Sequence, residues 1–235
     1  MKKSELRTAV IIPALNESAS IGRVIQSIPD PFRELIIVAD NGSTDKTAEI
    51  AQMLGARIAF AKKRGYGAAC LSGIALAQTF APDIYIFLDA DYSDFPEDMT
   101  DLVSALLERD LDLVIGSRTL GKAEPGSLLP QARFGNWLAT RLMYAFYGHL
   151  FSDLGPFRAI RSHALSLLAM RDTDFGWTVE MQIKALRHQL RVGEVSVRYR
   201  KRIGISKITG TIRGTFHAGV KILWTIGRYG PWTQT

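Results

Sequence analysis

Five short runs of apolar, largely β-branched residues punctuate the first half of this chain: Ala9–Ile12, Leu35–Val38, Arg57–Phe60, Ile84–Leu88 and Leu113–Ile115. Between them lie segments with helical spacing, Ser20–Ser27, Thr47–Leu54, Ala68–Thr79 and Pro96–Glu108. Runs of this kind, apolar on consecutive positions, suit strands buried on both faces. Their alternation with helices predicts an α/β fold with a mostly parallel sheet flanked by helices. Each run ends in polar or turn-forming residues, and open parallel sheets bind ligands at the carboxyl ends of their strands.

After Arg118 the rhythm changes. Gly121–Pro130 reads as a long loop, followed by an aromatic-rich helix from Phe134 to Leu150 and a turn at Asp153–Pro156. A further helix is expected over Thr178–His188 and a strand over Glu194–Tyr199, whereas Ile203–Thr235 mixes glycine, basic and aromatic residues without a clear period. The net charge of +6 is uneven: residues 1–120 hold 12 basic and 17 acidic side chains, residues 121–235 hold 17 and 6. A basic half attracts phosphates, nucleic acid or an anionic membrane, or is a solvated helix face.

The single cysteine, Cys70, can form no internal disulfide and no cysteine-built zinc site, which fits a reducing, cytoplasmic compartment. The apolar run between Arg7 and Pro13 is too short for a signal peptide. The apolar stretches Trp137–Phe151 and Gly219–Trp232 are interrupted by Arg141, Lys221 and Arg228. Neither approaches the roughly 20 uninterrupted apolar residues of a spanning helix. A cytoplasmic protein is expected, at most peripheral to the cytoplasmic face of a membrane.

Chemistry concentrates in LDADYSDFPED, Leu88–Asp98, where a strand runs into Asp89-Ala90-Asp91. Residues two apart on a strand share a side, so both carboxylates can hold one divalent cation and leave positions for water and diphosphate oxygens. The alternative is a pair of acids in a solvated turn or a helix cap. DNGSTD, Asp40–Asp45, follows the second strand; Asp40 can accept hydrogen bonds from a base or ribose, and Gly42 permits a tight turn. KKRGYGAACLSG, Lys62–Gly73, places a basic cluster before small residues and a helix, which suits an anion. Its third glycine falls too late for a dinucleotide fingerprint, and no such fingerprint follows the first strand. PALNE, Pro13–Glu17, leaves the first strand through a stiff proline, and Glu17 can face a base, a ribose or Arg23; taken alone, the motif reads more readily as a plain strand exit. Arg118, Arg133, Arg158 and Lys207 supply positive charge, Arg as a fork for phosphate oxygens and Lys as a point charge.

In order and spacing these pieces resemble glycosyltransferase family 2, closest to its polyprenyl-phosphate (dolichol-phosphate-like) mannose and glucose synthases. The resemblance is carried by VIIPALNE at 10–17, ADNGSTDKT at 39–47, KRGYGAACLSGIALA at 63–77 and LDADYSDFPED at 88–98. GSR at 116–118, DLGPFRAIR at 153–161 and EVSVRYRKRIGISK at 194–207 complete it. It departs in Asn41, where the family often has a second acid, and in Tyr92 and Ser93, where leucine and glutamine are usual.

The resemblance implies a GT-A-type nucleotide-diphosphate-sugar-binding fold over 1–235, with a donor half (1–120) and a basic acceptor half (121–235). It implies Mg2+ or Mn2+ held by Asp89 and Asp91, with Pro13, Leu15, Glu17, Asp40, Lys63, Asp89, Ala90 and Asp91 on the donor. Arg118, Arg133 and Lys207 would neutralise donor or acceptor phosphates. The expected activity is inverting hexose transfer from a UDP- or GDP-linked sugar to a polyprenyl phosphate. A hydroxyl acceptor would need a base, with Asp153 the first candidate and Glu180 the second. The aromatic helix and tail can lie on a membrane or pack against the sheet or a second copy. A non-catalytic nucleic-acid- or membrane-binding basic domain is the alternative of another class, but it leaves the ordered acidic motifs without a purpose.

Overall fold

The structure, a computed structural model, describes residues 6–204 and 212–229, the side chains of 212–218 excepted. Seven strands form one sheet: β1 (Thr8–Ala14), β2 (Leu35–Asp40), β3 (Arg57–Phe60), β4 (Ile84–Phe87), β5 (Leu113–Ser117), β6 (Arg158–Arg161) and β7 (Val192–Ser196). Their order is β3-β2-β1-β4-β6-β5-β7. Every pairing is parallel except those of β6, which runs antiparallel to both neighbours. The five strands expected in the first half are all present, in a mostly parallel sheet.

Consecutive residues of β1 enter opposite layers, as the period of a strand requires. Ile11 packs with Ile37, Phe87 and Ile115 on one face, and Val10 and Ile12 pack with Val38, Ile86 and Val114 on the other. Full burial of each such side chain contributes about 1.5–3 kcal/mol. The helices α1 (Ile21–Ser27), α2 (Thr47–Met53) and α4 (Met99–Glu108) cover the second face, and α3 (Tyr66–Gln78) covers the first. Helices α5 (Pro130–Tyr147), α6 (Ser162–Leu168), α7 (Trp177–Arg187) and α8 (Ile212–Arg228) follow, with α5 and α7 both packed on α8.

Two elements of the second half differ most in extent from the sequence reading. The aromatic helix begins at Pro130, a favoured first helical residue because it lacks only an N–H that would go unpaired there, and ends before Gly148 at φ 69°. The last strand spans 192–196 instead of 194–199, because Tyr199 leaves the sheet to bridge Asp94 and Ala123. Strand β6 and helix α6 were not expected. With an arginine at each end, RAIR shows no apolar run, and it becomes a strand only because β4 and β5 leave a gap with unpaired backbone groups.

Gly73, the glycine too late for a dinucleotide fingerprint, lies where α3 crosses the sheet. A Cβ there would stand 2.6 Å from Ile11 Cγ2 and 3.3 Å from Ala39 Cβ. Gly73→Val is therefore expected to cost about 1–3 kcal/mol through overpacking. A thermal melt should show it as a Tm lower by roughly 2–4 °C per kcal/mol.

Candidate active site

The carboxyl ends of β1, β2 and β4 open onto a cavity of about 410 Å3. Its lining includes Pro13, Leu15 and Glu17 after β1, Asp89, Ala90 and Asp91 after β4, and Arg64, Tyr66, Phe175 and Arg202. Its size is within the range usual for small-molecule sites. Six of the residues expected on the donor converge here. Asp40 is one step back: buried, it accepts the Gly42 and Ser43 amides at 2.9 and 2.7 Å and so fixes the turn. Lys63 is exposed and lies off the cavity wall, where Arg64 takes its place, and Lys207 lies outside the described residues.

Asn41 explains its own departure from the family pattern. Its amide donates to Lys63 O at 3.1 Å and its carbonyl accepts Gly65 N at 2.8 Å, joining the β2 turn to the start of α3. A carboxylate could not make the first of these bonds.

Three carboxylates meet at the end of β4. Asp94, absent from the residues singled out in the sequence, is buried behind the other two, and its Oδ2 accepts Asp89 N at 3.3 Å. Its Oδ1 is buried without a hydrogen-bond partner among the described residues. Burial, and then repulsion from Asp89 and Asp91, pushes the Asp94 carboxyl well above its ordinary range. The same causes, burial first and Asp91 second, raise Asp89 to about 7. Tyr66 donates its hydroxyl to Asp89 Oδ1 at 3.1 Å.

Asp91 Oδ1 accepts the Ser93 amide at 2.9 Å and the Ser93 hydroxyl at 2.5 Å, while its Oδ2 faces Arg202 at 3.1 Å. The second Arg202 nitrogen reaches Glu17 at 3.2 Å, so one guanidinium spans the cavity from the PALNE motif to the acidic turn. Tyr92, at φ 64°, stacks beneath Arg200, whose guanidinium carbon lies 3.4 Å from the ring centroid and 4.0 Å from that of Phe95. The two unusual residues after Asp91 therefore shape and hold the acidic turn.

Two of the arginines expected at the site lie away from this cavity. Arg118 and Arg133 line a second recess of about 400 Å3 with Asn136, Trp137, Arg141 and Asp153. Asp153 is fully buried and takes Arg118 Nε and Nη2 at 2.7 Å each, and the Arg118 amide at 2.9 Å. Burial alone would raise its carboxyl, but the Arg118 charge and hydrogen bonds outweigh it and hold it below the usual value. Both oxygens of Asp153 are thus committed to orienting Arg118, a poor arrangement for a base. Glu180 is also fully buried and hydrogen-bonded within the wall described below. Arg158 is buried and holds backbone carbonyls, those of Thr178 at 3.1 Å and Gly155.

Tyr66, Asp94 and Arg202 carry site chemistry that sequence reasoning missed. All three stand inside quoted motifs, and spacing alone assigned them no partner. Asp174 and Phe175 also line the cavity and belong to no motif.

A mostly parallel sheet with one antiparallel insertion, and an acidic strand end facing a cavity, define the GT-A class of glycosyltransferase. Residues 9–168 match the model of Glycosyl transferase family 2, and the chain belongs to that family. An uncharacterized glycosyltransferase of Mycobacterium tuberculosis is 34% identical over 211 residues, covering 89% of this chain and 93% of its own. The undecaprenyl-phosphate mannosyltransferase of Micrococcus luteus is 28% identical over 233 residues, covering 89% of this chain and 90% of its own. The fold is shared with glucosyl-3-phosphoglycerate synthase from Mycobacterium tuberculosis, solved with Mn2+, UDP and glucosyl-3-phosphoglycerate. The TM-score is 0.77 at 24% identity, over 99% of this chain and 83% of that one.

Asp89 keeps its proton in the folded protein up to about pH 7 but releases it near 3.8 when unfolded. Between those values the folded state binds more protons, so stability falls as pH rises through the window. Without added divalent cation, Asp89→Asn is expected to melt several degrees above wild type at pH 8, with the difference vanishing near pH 4. Melts across that range check it.

Proposed function

We propose that this glycosyltransferase moves a hexose from a nucleotide-diphosphate sugar to a polyprenyl phosphate, with inversion and with Mg2+ or Mn2+. The observation that carries the donor side is Asp89 and Asp91 set together at the end of β4, in a cavity whose other wall is Pro13, Leu15 and Glu17. The residues fit a hard divalent cation. Carboxylate oxygens are its preferred ligands, Asp91 Oδ2 already faces a positive group in Arg202, and Asp94 leaves a buried oxygen unpaired among the described residues. Among those residues no group of three or more His, Cys, Asp or Glu is placed to hold a metal ion by itself, so two carboxylates would share the ion with the diphosphate. Asp89 and Asp91 would hold the ion, which supplies charge stabilisation for the leaving diphosphate.

The protein's own groups do the rest. Glu17 and the Pro13 strand exit bound the nucleoside, and Arg202 is within reach of diphosphate oxygens. Arg118, locked by Asp153, and Arg133 present guanidinium forks in the neighbouring recess, where an acceptor phosphate would be held against the repulsion of the donor. A phosphate oxygen then bonds to the anomeric carbon from the face opposite the breaking bond to diphosphate. A phosphate monoester is ionised at neutral pH and needs no general base, consistent with the commitment of Asp153 to Arg118. The named activities of two relatives support this acceptor: the Micrococcus luteus mannosyltransferase and a dolichyl-phosphate N-acetylglucosaminyltransferase of Methanococcus voltae, 25% identical over 210 residues.

The test is binding of UDP-glucose and GDP-mannose, with and without Mg2+ or Mn2+, to wild type and Asp91→Ala. One donor should bind only with metal, and Asp91→Ala should weaken it at least about 100-fold. Metal affinity should fall by up to about tenfold per pH unit below 7, as Asp89 takes up its proton. Binding of neither donor by folded wild type, with metal present, would remove this function. Turnover with phosphoglycerate and none with a polyprenyl phosphate would overturn the acceptor.

A peripheral membrane contact at the cytoplasmic face goes with a lipid acceptor. No helix among the described residues is long and apolar enough to cross a membrane. Helix α5 exposes Phe134, Trp137 and Tyr144, and α8 exposes Leu223 and Trp224. Neither helix contains an acidic residue. Aromatic and basic side chains without acids suit the interface of an anionic bilayer. Replacing Phe134, Trp137, Leu223 and Trp224 by serine should abolish sedimentation with anionic liposomes; unchanged sedimentation would discard the contact.

A further inference from the structure

No described side chain of helix α8 lines the donor cavity, yet the helix is tied to one of its walls. That wall is the segment 171–176, which brings Asp174 and Phe175 to the cavity. Its backbone lies against the start of α3. Ala68 N donates to Thr173 O at 2.9 Å. A Cβ on Gly65 or Gly67 would stand only 2.1 Å from the carbonyl oxygen of Thr173 or Asp172. The start of α3 also carries Tyr66, the hydrogen-bond donor to Asp89. A shift of the wall therefore reaches both the cavity and the acidic turn.

Two buried carboxylates hold this wall, one shared with Lys221 of α8 and the other with Tyr229, the residue that follows α8. Glu180, on α7, accepts the amides of Arg171 and Asp172 at 3.1 and 2.7 Å, the Lys184 ammonium at 2.8 Å, and the Tyr229 hydroxyl at 2.7 Å. Asp172 accepts the Asp174 amide on Oδ1 at 2.7 Å and pairs with Lys221 through Oδ2 at 2.9 Å. Gly176 lets the helix come this close, since a Cβ there would stand 2.4 Å from Thr225 Oγ1 and 2.6 Å from Asp172 Oδ2. Tyr229 O in turn accepts the Tyr147 hydroxyl of α5. A buried carboxylate that loses a donor reorients or draws in water, and the amides it holds move with it.

We propose that α8 is a strap for the donor site. Glu180 and Asp172 are positioning residues that pass the seating of α8 to the Asp174–Phe175 wall, so that donor affinity depends on contacts about one helix away from the donor. This rests on the reading of the cavity as the nucleotide-sugar site.

The test is the double variant Lys221→Met, Tyr229→Phe, which removes both ties from α8 and touches no cavity residue. Calorimetry with UDP and GDP in the presence of Mn2+ gives nucleotide affinity, and steady-state kinetics give donor KM and kcat. About tenfold weaker nucleotide binding and a matching rise in donor KM are expected, with kcat within about twofold and acceptor KM unchanged. Lys221→Arg should keep wild-type affinity. A folded double variant with wild-type nucleotide affinity would overturn the strap, even if its Tm had fallen, because that is the signature of a purely structural tie. If the double variant does not fold, Lys221→Met alone is judged by the same two readouts. Failure of wild type itself to bind either nucleotide would instead sink the donor-site reading, and the strap with it.

Discussion

Three carboxylates at the end of β4 set the terms for everything around them. Asp89, Asp91 and Asp94 sit in or beside a cavity partly shielded from water, where like charges repel strongly and burial disfavours ionisation. The fold answers with donors and cations from distant parts of the chain. Tyr66 reaches Asp89 from α3, Ser93 closes the turn on Asp91, and Arg202 approaches Asp91 from beyond β7. What remains unanswered is chemically informative. A proton shared into the neutral range at Asp89, and an orphan oxygen at Asp94, describe a site built with less positive charge than it can accept.

The antiparallel strand β6 is the device that places the second recess beside the first. By filling the gap between β4 and β5 it turns the chain back, and the turn entering it carries Asp153 to Arg118 at the end of β5. Glu194 on β7 secures the same turn by accepting the Ser152 amide at 3.0 Å, and Gln182 on α7 donates to Asp153 O at 3.0 Å. Arg118 is consequently a fixed fork and not a flexible surface charge. Less rotamer entropy is lost when a pre-oriented guanidinium meets an anion, which is the advantage of arginine over lysine at such a position. The aromatic helix α5 covers the recess and carries Arg133 and Trp137 to its rim.

In this member of glycosyltransferase family 2 the acidic cavity at the end of β4 and the arginine recess beside β5 are separate concavities, the second lined in part by the aromatic helix α5. A connection runs from α8 through Glu180 and Asp172 to Phe175. It ties the basic second half of the chain to the wall of the acidic cavity.

How far the sequence alone reached follows from the range of the interactions involved. Strands β1 to β5, the turn after β2 and the acidic end of β4 were legible, because apolar runs, Gly42 and the Asp89–Asp91 spacing are local signals whose period matches the element they form. The family resemblance, not any local pattern, named Pro13, Leu15, Glu17, Asp89, Ala90 and Asp91 together, and all six line one cavity at the carboxyl ends of strands. Strand β6 was not legible: nothing in RAIR prefers a strand until β4 and β5 present unpaired backbone on either side. Nor was the pairing of Asp153 with Arg118, 35 residues away, or of Arg202 with Glu17, 185 residues away. A side chain's type says which partners it can take, but only the packed chain decides which partner arrives, because a buried charge settles on whatever counter-charge the fold brings within reach.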